Sequence, residues 1–230
     1  MRPTGAVASA RHTIGLLLAV LAIAILGAIQ SPISEWPTTL ARPHARVLLY
    51  VRILVLQWLW VGYVRFGMRH SATSMRTLVD DSRWTLLHWL RYLAIGFAGW
   101  VGYLAIGAGL SKMLHPSAEA LRGLAAMLPH SPAERTLWAA FAVSAGVCEE
   151  IVYRGYLMRQ LQALTGNRFV AIVLQALCYG LVHLAFPVQM LVGVLALGLL
   201  LGGIAVWQKS LVPGMILHVA VGLVAILQPG

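Results

Sequence analysis

Seven long apolar runs, separated by more polar stretches, constrain this chain more than any other feature. They cover about residues 13–30, 46–66, 89–110, 137–158, 169–186, 188–208 and 211–227. A helix of roughly 20 residues crosses the hydrocarbon core and satisfies its own backbone N–H and C=O groups there. The runs do not alternate with period two, which argues against a transmembrane β-barrel. The expected fold is therefore all-α, a polytopic membrane helix bundle of about seven transmembrane helices. Composition agrees: 60% of the 230 residues are hydrophobic and 10% are charged, against about 25% charged in a soluble domain.

The net charge is +10. Its basic residues mostly flank the apolar runs, so the bilayer and its anionic headgroups account for them, and nucleic acid is not an expected partner. Arg69, Arg76 and Arg83 follow the second run, Arg159 and Arg168 follow the fourth, and Lys209 precedes the seventh. With a cytoplasmic N-terminus, all of these fall on the cytoplasmic side. Arg42 and Arg46 fall on the opposite side and break the pattern. The first run follows Arg2 and Arg11; its length favours a retained helix over a cleaved signal segment. Residues 118–129 are too short to span and suit the interface. Three parts result: N-terminal helices with a basic loop over 1–110, a connecting loop over 111–136, and a helical core over 137–227. Cys148 and Cys178 sit in apolar runs without a CxxC pair and read as small buried residues.

Ionisable groups within apolar helices are costly, and they usually face a bundle interior or a wet cavity. Three places qualify. Glu149, Glu150 and Arg154 lie in the fourth run, His183 in the fifth and His218 in the seventh. Glu150 and Arg154 stand at the i,i+4 spacing of an intrahelical ion pair. Glu149 is turned about 100° from Glu150 and is left to face elsewhere. Tyr179 stands one turn before His183. A glutamate and two histidines on separate helices could converge on a water, or on a metal with an open position. Taken singly, each group also suits a structural role: an interfacial charge or a hydrogen-bonded packing histidine.

Read together, these residues resemble the motifs of a known family. Glu149-Glu150-Ile-Val-Tyr-Arg154, continuing through Gly155 and Leu157, is similar to the EExxFRGxL motif of the CAAX protease and bacteriocin-processing family of intramembrane proteases, which is related to the type II CAAX prenyl endopeptidases. Tyr179 to His183 resembles its FxxxH motif, and Ser210 to His218 resembles its short proline-containing entry into an HxxxN helix. The resemblance spans about residues 135–227. It implies an intramembrane endopeptidase in which Glu149 and His183 activate water and His218 stabilises the oxyanion. Glu150, Arg154 and Tyr179 would support them. It implies a membrane-associated peptide or protein substrate, of prenylated CAAX or leader-peptide type, and a setting in the bacterial plasma membrane. It admits zinc held by Glu149, His183 and His218, and equally a metal-free reaction.

One position departs from the motif. The asparagine of HxxxN is Gly222 here, and Asn167, the single asparagine of the chain, lies in a loop. Two side chains near the His183 face, Tyr179 and Gln175, are candidates to replace its oxyanion donor. The departure also supports a second reading, a non-catalytic membrane scaffold of the same fold. A proton-coupled transporter is a third, weakened by the absence of a repeat.

Overall fold

The computed structural model describes residues 5–30, 32–71, 73–80 and 85–227; Arg2 and Arg83 lie outside them. The described chain is helical, and its one β-bridge joins Asp80 to Ser210. Five helices are long and apolar enough to cross a membrane: 10–29, 45–67, 86–114, 132–165 and 188–208. The protein is an integral membrane protein of polytopic, all-α architecture. The seven apolar runs all form helices, but the fifth and seventh are shorter than their sequences suggest. Helix α9 is Arg168–Leu181 and α11 is Val212–Leu223, followed by one 3₁₀ turn.

Local chemistry sets these ends. Asn167 caps α9 by accepting from the N–H groups of Phe169 and Val170. Past Leu181 the chain passes through tight turns to Pro187, which cannot donate to a continuing helix. Pro213 occupies the first turn of α11, and Ser210 Oγ accepts from Val212 N at 3.2 Å just before it.

The fourth span is a continuous helix of 34 residues in three parts. Helix α7 (Pro132–Glu149) opens with a capping box between Ser131 and Glu134. A π-helical segment, Glu150–Leu157, follows, and α8 (Met158–Thr165) closes on Gly166 in the left-handed region at φ 68°. The π-helical segment is fully buried and forms the centre of the core with Leu78, Ala171, Tyr179 and Leu211. Around it stand α1 (Ala10–Gln30), α3 (Ala45–Gly67), the short α4 (Met75–Val79) and α10 (Val188–Gln208); α5 (Leu86–Leu114) packs on α11 and α10, and the short α2 (Trp36–Leu40) lies before α3. Residues 118–129, expected to be too short to span, contain the ten-residue helix α6 (Ala118–Met127).

Two basic residues take unexpected places. Arg159, expected in a loop, lies in α8 and is buried, donating to the carbonyls of Thr77 and Leu78. Arg46 pairs with Glu134 at 3.0 Å, tying α3 to the start of α7.

Candidate active site

Glu149 and Glu150 straddle the point where the α-helix widens into a π-helix. Such π-segments are rare and frequent at functional sites. Glu150 and Arg154 form the anticipated ion pair, Nη1 to Oε1 at 2.9 Å, with both side chains fully buried. The guanidinium also lies 4.5 Å from the centre of the Tyr179 ring.

His218 of α11 meets the same glutamates. Its Nδ1 lies 3.0 Å from Glu150 Oε1, and its Nε2 lies 3.7 Å from Glu149 Oε2 and 3.2 Å from the Tyr179 hydroxyl. A carboxylate only accepts hydrogen bonds, so Nδ1 carries a proton toward Glu150 and Nε2 is the atom turned to Glu149 and Tyr179. His183 lies in the turn just past α9, and its Nδ1 faces the Tyr179 carbonyl at 3.0 Å. Its ring packs edge-on to Tyr179 with centroids 5.2 Å apart.

Glu149 and His183 line one cavity of about 240 Å³. Its wall is mostly apolar, with Ile23 from α1, Ile53 and Trp60 from α3, Phe141 from α7 and Phe186 after α9. Cys148, Tyr153 and Gln57 also reach it. His218 is not among the lining residues; it is buried against the far side of the Glu149 carboxylate. Gln57 of α3, which motif spacing does not mark, donates from Nε2 to Glu149 Oε1 at 3.3 Å. The available signal was a lone amide in the apolar stretch Ile53-Leu-Val-Leu-Gln57-Trp-Leu-Trp60.

The two candidate substitute donors part company here. Tyr179 carries its hydroxyl to His218. Gln175 spends its Nε2 on the carbonyls of Ile172 and Gly198, at 3.0 and 2.9 Å, and so joins α9 to α10. Gly222 lies at a close crossing of α11 and α7. A Cβ there would stand 2.8 Å from Ala142 Cβ, and the Gly222 carbonyl accepts from Trp138 Nε1 at 2.8 Å. Gly222→Asn, the direct way to restore the motif, is therefore expected to force the helices apart. We expect a loss of about 1–3 kcal/mol in unfolding stability and no gain in hydrolysis. Thermal unfolding in detergent, beside a Gly222→Ala control, checks this.

Among the described residues, no three of His, Cys, Asp and Glu are grouped as ligands for a metal ion. Glu149, His183 and His218, the residues expected to hold zinc, are not arranged as a ligand set here.

Glu149 and His183 thus line one cavity between the helices, with Glu150, His218 and Tyr179 packed behind the Glu149 carboxylate. Residues 131–224 match the family model described as Type II CAAX prenyl endopeptidase Rce1-like, so over that segment the family resemblance read from the three motifs holds. No curated protein and no solved structure gives a significant match to the chain.

Proposed function

We propose that the protein is an intramembrane endopeptidase, cleaving a membrane-associated peptide or protein in the bacterial plasma membrane. The observation that carries this reading is the shared lining by Glu149 and His183 of one cavity between helices long and apolar enough to span a membrane. In the proposed reaction, Glu149 with His183 takes a proton from a water, whose oxygen bonds to the scissile carbonyl carbon. The C–N bond then breaks, and the leaving amine takes up the proton. In this reading His218 acts as an imidazolium: its Nδ1–H is held by Glu150 Oε1 and its Nε2–H donates to the oxyanion. Tyr179 is a positioning residue that holds the His218 ring through its hydroxyl. The apolar wall suits apolar substrate side chains, which covers prenylated CAAX-type ends and hydrophobic leader peptides.

The roles of Tyr179 and Gln175 separate experimentally. Tyr179→Phe is expected to lower kcat by about 10-fold with little change in KM, the loss of one positioning hydrogen bond. Gln175→Ala is expected to lower stability while leaving kcat within about 2-fold of wild type, because it acts through the α9–α10 contact. Steady-state hydrolysis of a membrane-associated peptide measures both. Wild-type kinetics in Tyr179→Phe would remove that hydroxyl from the mechanism.

The close packing at Gly222 favours one second reading, a non-catalytic scaffold of the same fold. On that reading Glu149→Gln leaves the cellular phenotype unchanged; on the proteolytic one it abolishes it.

A further inference from the structure

We infer that Gln57 binds substrate: its Oε1 accepts a hydrogen bond from a backbone N–H flanking the scissile bond, while its Nε2 holds Glu149. The inference rests on the proteolytic reading and adds to it a substrate contact from outside the matched segment 131–224.

Gln57 lies near the middle of α3 and is 4% exposed. Its orientation is fixed by chemistry. The Glu149 carboxylate can only accept, so the amide nitrogen must face it at 3.3 Å, and the amide oxygen must face away. That oxygen is buried and has no hydrogen-bond partner. Other buried side-chain atoms among the described residues also lack partners, on Trp100, Glu150, Arg154, Gln175 and Gln208. None of those residues lines the cavity; Gln57 does. Its oxygen is thus the unpaired acceptor on a cavity-lining side chain; it is closed off in this structure, so an occupant reaches it only as the packing over it opens.

A buried acceptor without a partner is costly, above all where lipid replaces water. What it requires is a donor. An extended peptide presented to Glu149 carries such donors at every residue as backbone N–H groups. A contact of this kind reads the backbone and not the side chains, so it favours an extended substrate of any sequence. It also links binding to chemistry, because the amide that grips the substrate is the one that orients the base.

The test uses depsipeptides, in which one non-scissile amide N–H at a time is replaced by an ester oxygen. The parent is the fastest-cleaved member of a panel of farnesylated, cysteine-ended and leader-type peptides. For wild-type protein in detergent, one ester position is expected to lower kcat/KM by roughly 10- to 100-fold. In Gln57→Met, close in shape but without the acceptor, amide and ester versions should be cleaved within about 2-fold of each other. A purely structural role, holding Glu149, would slow both equally and preserve the discrimination, and that result overturns the inference. So does a wild type indifferent to every ester.

If Gln57→Met is inactive or poorly folded, Gln57→Leu and a binding format keep the question open to refutation. Affinities of amide and ester peptides, each with a reduced and therefore uncleavable scissile bond, are compared with Glu149 intact, with and without the change at 57, and the same contrast is expected. A wild type that binds the panel and cleaves none of it overturns the proteolytic reading; the binding contrast then decides the Gln57 contact separately.

Discussion

Replacing Glu149 by glutamine is expected to abolish detectable peptide hydrolysis while leaving the protein folded. A general base contributes about 10²- to 10⁴-fold, and an amide of the same shape cannot take the proton from water. The fold tolerates the change because Glu149 is not the buried half of an ion pair. Its side chain keeps 23% exposure, and its near neighbours are the Gln57 amide and His218 Nε2, at 3.3 and 3.7 Å. An amide oxygen can still accept from Gln57. We therefore expect unfolding stability within about 1 kcal/mol of wild type. Turnover and thermal unfolding measured on one preparation separate the two effects. Residual hydrolysis near the wild-type rate would remove Glu149 from the reaction.

Arg154→Ala is expected to act in the opposite sense, on the fold before the chemistry. Arg154 and Glu150 are both fully buried, and the 2.9 Å bond between them spans one turn of the π-helical segment at the centre of the core. Removing one partner of a buried pair typically costs about 3–5 kcal/mol, because the other charge is stranded. Here Glu150 would keep only His218, and its Oε2 has no partner to begin with. The arginine also packs on Tyr179, so the change loosens the α9 contact as well. Replacing the pair together, Glu150→Leu with Arg154→Met, should recover much of the lost stability without recovering activity, since His218 loses its anchor. Equal stabilities for Arg154→Ala and wild type would show that the pair does not hold the helix.

The sequence made some of this legible and hid the rest for physical reasons. The apolar runs announced the helices because lipid leaves so few alternatives for a backbone. The Glu150–Arg154 pair was readable because its spacing is local, and it survives the change from α- to π-helix. The π-segment itself leaves no mark in the residue pattern. The shortness of α9 was harder: apolar residues continue through Phe186, although the helix stops at Leu181 and His183 falls in the turn beyond. Gln57 was missed because neutral amides are cheaper in lipid than charges and draw less notice. The role of Gly222 was invisible because a close helix crossing depends on what lies opposite, and Ala142 is 80 residues away in sequence.

The most direct measurement is hydrolysis of a membrane-associated peptide by the purified protein in ¹⁸O-enriched water, with products read by mass spectrometry. Attack by an activated water predicts two fragments, one bearing a single ¹⁸O at its new carboxylate, from wild type and not from Glu149→Gln. Intact peptide with wild type, or the same labelled fragments from Glu149→Gln, would contradict it.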